Sequence, residues 1–125
     1  MNIKCGTDII EVERIKESIE GNVGEKFLKK VYTQNEINYC ESKSITKYEH
    51  YAARFAAKEA VFKAISPILE GKYNINWTDI EILNDSEGRP FAKINEEKVK
   101  NIQIDISMSH IKEYATANCV VIFSK

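Results

Sequence analysis

The sequence has almost no excess of charge. Eighteen Lys and Arg stand against nineteen Asp and Glu in 125 residues, a formal net charge of -1. A chain so balanced has no bulk attraction for nucleic acid or for an anionic membrane, so electrostatic docking must come from local patches. Cysteine is scarce and scattered: Cys5, Cys40 and Cys119. The odd number and the lack of any CxxC spacing speak against zinc ribbons and thioredoxin-type redox motifs, and predict reduced thiols in a cytoplasmic protein. No apolar run approaches the ~18 residues of a membrane span. The opening MNIKCGTDII has neither the apolar stretch nor the cleavage site of a secretory signal. Internal repeats and low-complexity stretches are missing too.

What is present is the balance of a globular chain, with 43% hydrophobic and 30% charged residues. Residues 1–125 are expected to form one domain whose core needs no disulfide or metal staple. IKCGTDII reads as a strand, with Ile3, Cys5, Thr7 and Ile9 on one face and Gly6 and Asp8 on the other. Val12, Ile15 and Ile19 then recur at helical spacing, and Gly21 and Gly24 are expected to end that helix. Phe27, Leu28 and Val31 mark a second short amphipathic stretch. Thr33 with Glu36 three residues on forms a capping box.

The longest helix is expected from about Tyr48 to Ile65, stopped by Pro67. DIEILND and FAKI read as a hairpin around SEGRP, NEEKVKNI as a short exposed helix, and QIDISMS and YATANCVVIF as a closing pair of strands joined across HIKE. Helices gather in the first half and strands in the second. That pattern predicts an α+β fold, an antiparallel sheet packed with one long helix and shorter N-terminal helices.

The long helix raises a question of its own. At 100° per residue, Ala53, Ala57, Ala60 and Ala64 form a narrow stripe that lets another backbone come close. Phe55 and Phe62 form a second apolar layer roughly opposite. Glu59 and Lys63 lie between them, four residues apart. A favourable surface pair at this spacing stabilises by a few tenths of a kcal/mol. Yet a helix packed on two sides leaves little open flank, and charge there needs a partner. A metal ion and a phosphate would suit. Asp8 is a poor strand residue, and either caps the helix starting near Glu11 or shares that site. His110, after SMS, is a turn histidine or a functional one.

Four segments in order give these residues a common context. GTDIIEVERI (6–15), RFAAKEAVFKA (54–64), GRP (88–90) and SMSHIKEYATA (107–117) resemble the signature stretches of the holo-[acyl-carrier-protein] synthase family. FLKKVYTQNE (27–36) is similar to a looser stretch of it. The resemblance covers nearly the whole chain. Two positions depart from it: Ile111, where a small or polar residue is frequent, and Thr116, where alanine is common.

The resemblance implies an enzyme that transfers the 4′-phosphopantetheine group of coenzyme A to a serine hydroxyl of apo acyl carrier protein, releasing adenosine 3′,5′-bisphosphate and serving fatty acid biosynthesis. It implies Asp8 and Glu59 as ligands of a magnesium ion, whose hard charge suits oxygen donors. Glu59, Lys63 and His110 are the implied catalytic residues, Lys63 as a point charge on phosphate and His110 as a phosphate or ribose contact. Gly88, Arg89, Pro90, Ser107 and Ser109 are expected to join Lys63 and His110 around the coenzyme A nucleotide. The base that takes the serine proton stays open between Glu59 and a metal-bound water.

Because acyl carrier proteins are acidic, Arg14 and Lys16 are expected to bind the partner. Lys26, Lys29 and Lys30 either extend that patch or only solubilise their helix. Arg54 either binds the partner or pairs with a carboxylate. A homotrimer with sites at subunit interfaces is also implied, and the alanine stripe fits helix packing there or on the chain's own sheet. The rival is a non-catalytic module that holds carrier protein or nucleotide, which leaves the separated carboxylates unexplained. A broad-specificity transferase is the other, and such chains are about twice as long.

Overall fold

The structure is a computed structural model that describes residues 1–69, 75–95, 97 and 99–124. The chain runs β1 (Asn2–Glu11), α1 (Val12–Glu20), α2 (Gly24–Val31), α3 (Gln34–Glu41), α4 (Lys47–Leu69), β2 (Ile80–Asn84), β3 (Pro90–Ile94), β4 (Ile102–His110) and β5 (Tyr114–Phe123). The strands form two antiparallel sheets, β1-β5-β4 and β2-β3. The expected α+β class therefore holds, with the strands divided between two sheets.

Each side of α4 has a different neighbour. Ala57, Ala60, Ala64 and Val61 pack with Ala117, Cys119 and Val121 of β5, Ile106 of β4, and Ile80 and Ile82 of β2. Nearer its start, Tyr51, Ala52 and Ala53 pack with Val12 and Ile15 of α1 and with Val31, Tyr32 and Cys40. Alanine suits both roles, because it favours helix and keeps backbones close. Phe62 does not join the expected second layer: it is 43% exposed.

The alternation in β1 has an unexpected direction. Gly6 is buried against α4, whereas Ile3 and Ile9 are 63% and 67% exposed. The apolar side of the strand thus faces solvent. The reason lies at Gly6, where a Cβ would sit 2.0 Å from the Ala60 carbonyl oxygen. Only glycine lets β1 lie this close on the alanine stripe, so the stripe serves the chain's own sheet.

Three boundaries differ from expectation. Helix α4 continues through Pro67 to Leu69. Pro67 lacks the N–H that would reach the Lys63 carbonyl, and the Ser66 hydroxyl donates to that carbonyl instead, at 3.0 Å. Gly21 caps α1 as expected, but Gly24 opens α2. A Cβ on Gly24 would meet the Ile19 carbonyl oxygen at 1.8 Å, so it is a close-approach glycine. The helix expected in NEEKVKNI does not form among its described residues, and Val99 is buried in the core. Part of that segment, residues 96 and 98, lies outside the described residues.

Candidate active site

The contact at Gly6 builds the centre of the site. Asp8 follows on the same side of β1, and Glu59 immediately precedes Ala60 on α4. Burial raises the Glu59 pKa above the usual carboxylate range, and the nearby Asp8 charge raises it further, against an opposite pull from Lys63. Lys63 Nζ donates to the Thr7 carbonyl at 2.9 Å and lies 3.4 Å from Asp8 Oδ1. The lysine therefore reaches across to the strand instead of pairing along its own helix with Glu59. Asp8 does not cap α1, whose N-cap Glu11 has no side-chain cap bond. The Thr116 hydroxyl donates to the Asp8 carbonyl at 2.9 Å, so this departure from the family pattern helps fix the strand.

Beside Glu59 opens a pocket of about 230 Å³, walled by Phe62, Ile75, Trp77 and Ile80. Its lining is mostly apolar, with a carboxylate at one edge. Stacking of Trp77 on Phe55, with centroids 4.9 Å apart, holds the indole in place.

His110 is not in this corner. It ends β4 beside the first turn of α4, where Nδ1 lies 2.9 Å from Glu49 Oε1. Glu49 and Glu59 are ten residues apart, about 15 Å of helix axis. The expected catalytic set of Glu59, Lys63 and His110 is thus split within one chain. Around His110 stand the His50 ring, at 4.9 Å between centroids, and then Tyr39, at 5.7 Å from His50.

Arg54 borders the same cluster and is only 2% exposed, so in the isolated chain it offers a carrier protein no surface. It stacks on Tyr39, 4.0 Å from the ring centroid, and hydrogen-bonds Asn84. No carboxylate pairs with it among the described residues, and its Nε has no hydrogen-bond partner.

Asn84 in turn donates to the Gly88 carbonyl at 3.0 Å. Gly88 has φ +84°, the conformation that makes glycine the fitting residue in this turn. Asp85 organises the turn, its Oδ1 accepting from the Glu87 and Arg89 amides at 2.8 and 2.9 Å. Gly88, Arg89 and Pro90 line a groove with Ser107. Ser107 and Ser109 sit on the exposed side of β4, whereas His110 turns the other way. Strand alternation therefore separates residues that the sequence places side by side.

Sequence reasoning missed the pair Glu36 and Lys58, both fully buried. Lys58 Nζ lies 2.7 Å from Glu36 Oε1 and donates to the carbonyls of Val31, Trp77 and Ile80 at 2.7, 3.0 and 2.7 Å. Burial draws the Lys58 pKa down, and Glu36 pulls it back up. Glu36 also completes the predicted capping box with Thr33 and accepts from the Ile82 amide at 2.8 Å. The signal was there: Lys58 stands among Ala56, Ala57, Ala60 and Val61, and a lysine so placed needs an acid.

Arg14 is exposed on α1, while Lys16 is half-buried with its Nζ 5.8 Å from the Tyr48 ring centroid. Lys26, Lys29 and Lys30 are exposed on α2. No three His, Cys, Asp or Glu side chains cluster as a metal cage among the described residues. No helix there is long and apolar enough to cross a membrane.

Two carboxylates, an ammonium group and a mostly apolar pocket thus meet where β1 lies on α4. Residues 4–119 match the 4′-phosphopantetheinyl transferase superfamily. A holo-[acyl-carrier-protein] synthase from Ruminiclostridium cellulolyticum is 48% identical over 127 residues, covering 97% of this chain and 92% of that protein. The ACPS–CoA complex from Chronobacterium ammoniagenes superposes with TM-score 0.83 at 27% identity, over the whole of both chains. A Bacillus anthracis holo-(acyl-carrier-protein) synthase in complex with CoA (3′,5′-ADP) superposes with TM-score 0.77 at 34% identity, over 97% of this chain and 96% of that one. The chain belongs to the 4′-phosphopantetheinyl transferase superfamily.

Proposed function

We propose that the corner formed by Asp8, Glu59 and Lys63 is where a coenzyme A pyrophosphate is cleaved. The chain is a phosphopantetheinyl transferase of the holo-[acyl-carrier-protein] synthase kind. It moves the 4′-phosphopantetheine group of coenzyme A to a serine hydroxyl of apo acyl carrier protein. The observation that carries the site assignment is the convergence of Asp8, Glu59 and Lys63 where β1 lies on α4: Lys63 Nζ is 3.4 Å from Asp8 Oδ1, and the Asp8 charge adds to burial in raising the Glu59 pKa.

The donor set fits magnesium. Asp8 and Glu59 offer oxygen only, Asp8 already attracts the Lys63 ammonium, and two carboxylates leave room for phosphate oxygens and water. Such an ion, when bound, neutralises pyrophosphate charge. In the step itself the serine oxygen forms a bond to the phosphorus that bears pantetheine, and the bond from that phosphorus to the bridging oxygen breaks. Adenosine 3′,5′-bisphosphate leaves with that oxygen. Glu59 takes the serine proton, and Lys63 balances charge on the departing phosphate. The apolar pocket beside Glu59 takes the pantetheine arm.

The His110, Arg54 and Gly88 cluster serves the nucleotide end. Because Glu49, the contact of His110, lies about 15 Å along α4 from Glu59, we assign His110 to the site of a neighbouring copy. The exposed apolar side of the sheet, with Ile3, Ile9 and Val120, supports a homotrimer as the assembly that joins the two halves. Exposed Arg14 and the α2 lysines form the basic surface for the acidic carrier, with cytoplasmic fatty acid synthesis as the setting. Mass spectrometry after incubation with coenzyme A, magnesium and apo acyl carrier protein tests the reaction. The carrier should gain the phosphopantetheine mass, and no gain beside an active control overturns the assignment. Sedimentation should show three chains, and a monomer at working concentration overturns the assembly.

A further inference from the structure

The contact between His110 and Glu49 belongs to no step described above. Glu49 stands in the first turn of α4 and His110 at the end of β4, sixty-one residues apart, yet Glu49 Oε1 and His110 Nδ1 are 2.9 Å apart. An ionised carboxylate can only accept, so Nδ1 carries the hydrogen whether the ring is neutral or cationic. Nε2 is then the nitrogen left for another partner. The His50 ring, edge-on at 4.9 Å, closes a second side of the imidazole and limits its rotation. Desolvation holds the His50 pKa at about 4, so this neighbour adds no second positive charge near neutral pH.

The ring is therefore fixed in tautomer by one neighbour and in orientation by another. That is more order than a turn histidine needs. A ring left free would share its hydrogen between both nitrogens and lose entropy on meeting a ligand. We propose that Glu49 is a positioning residue. It holds His110 so that Nε2 faces the phosphate or ribose oxygens of coenzyme A, and its negative charge balances the ring when Nε2 donates to phosphate. Glu49 itself touches no substrate. The inference rests on the assignment of His110 to the nucleotide end.

The test compares Glu49→Ala, Glu49→Gln, His110→Ala and the Glu49→Ala/His110→Ala double variant. KM for coenzyme A and kcat are measured for each, with nitrogen NMR of labelled histidine in the singles. Glu49→Ala should raise KM for coenzyme A about tenfold, the weight of one charge-assisted hydrogen bond, with kcat changed less than about twofold. Glu49→Gln keeps an acceptor oxygen and should recover part of the loss. The double variant should be no worse than His110→Ala, because Glu49 acts only through His110. In the spectra, the His110 hydrogen should leave Nδ1 when Glu49 becomes alanine.

Two results overturn the role of Glu49 alone: an unchanged KM in Glu49→Ala while His110→Ala is impaired, or additive losses in the double variant. An unchanged KM in His110→Ala overturns the nucleotide contact beneath it, whatever the spectra say of the hydrogen bond.

Discussion

Two lysines of α4 each meet an acid from another element, Glu36 of α3 and Asp8 of β1, and the two pairs differ in almost everything else. Lys58 and Glu36 are sealed from water, 2.7 Å apart, with three carbonyl oxygens completing the shell around Nζ. Lys63 and Asp8 lie 3.4 Å apart nearer the surface, with the Lys63 side chain 51% exposed and that of Asp8 17%, and Glu59 shares the corner without a hydrogen-bond or ion-pair partner among the described residues. In the buried pair every polar group is spoken for, so it can only hold things together. It ties α4 to α2, to the start of α3 and to the backbone around β2. The open corner has two carboxylates for one ammonium group, and that excess of negative charge is what a cation and a phosphorylated substrate can use. Incomplete satisfaction is what we propose marks the chemical site, whereas the fully satisfied pair has only a structural part.

The largest expected effect comes from breaking the closed pair. Lys58→Met leaves Glu36 buried without its cation and should cost about 3–5 kcal/mol in urea unfolding. Adding Glu36→Gln should restore only part of that loss, because the amide removes the buried charge but keeps one acceptor for the two amides of Thr33 and Ile82. Parent stability in Lys58→Met would erase the contrast.

Glu59→Gln is the counterpart in the open corner. It should lower kcat/KM for transfer by roughly 10²–10³-fold, while unfolding shows no loss of stability. A carboxyl whose folded pKa is raised weakens the fold above its unfolded value, so removing the charge relieves the fold at neutral pH. Intact transfer, or a loss of stability without loss of transfer, would place Glu59 with the structural pair.

Gly6→Ala joins the two readouts. The new methyl would meet the Ala60 carbonyl, so β1 must move from α4 at a cost of about 1–3 kcal/mol. Because that contact sets Asp8 against Glu59, transfer should fall too. Stability lost with transfer unchanged would detach the corner from the Gly6 contact.

The smallest effect concerns the half-buried His50, between the two extremes. Burial holds its pKa at about 4 against an ordinary 6.5. Below pH 6.5 the unfolded chain takes up a proton that the fold refuses until about pH 4, so stability present above 6.5 is lost across that window. The loss should be on the order of 1–2 kcal/mol after allowance for partial exposure. His50→Phe should flatten it in melts run across the range, and an unaltered slope would show that His50 does not carry it.

Much of this is legible in the sequence alone. The capping box at Thr33 and Glu36 is local chemistry within four residues, and it forms as read. Strand β5 spans the expected Tyr114–Phe123 because ten alternating residues leave little choice. The hairpin around Gly88 follows from turn residues that fix φ and hydrogen bonds locally. The side of β1 that faces inward was not readable, because a close backbone approach at Gly6 overrides the apolar pattern of Ile3, Cys5 and Ile9. The partner of Glu36 escaped for a similar reason: it lies twenty-two positions away on another helix.

Apart from the helix expected in NEEKVKNI, the sequence by itself determined the order of elements, the α+β class and the ordered motifs that carry Asp8, Glu59, Lys63 and His110. These depend on periods, caps and turns, which act over a few residues. Only the tertiary structure decided that Lys58 points into the core and its neighbour Glu59 toward the open corner, and that His110 stands away from both. Successive helical residues differ by 100°, but α4 packs on two sides, and the alanine stripe alone does not show that Lys58 beside it also turns into the core. That direction is set by what the rest of the chain packs against it.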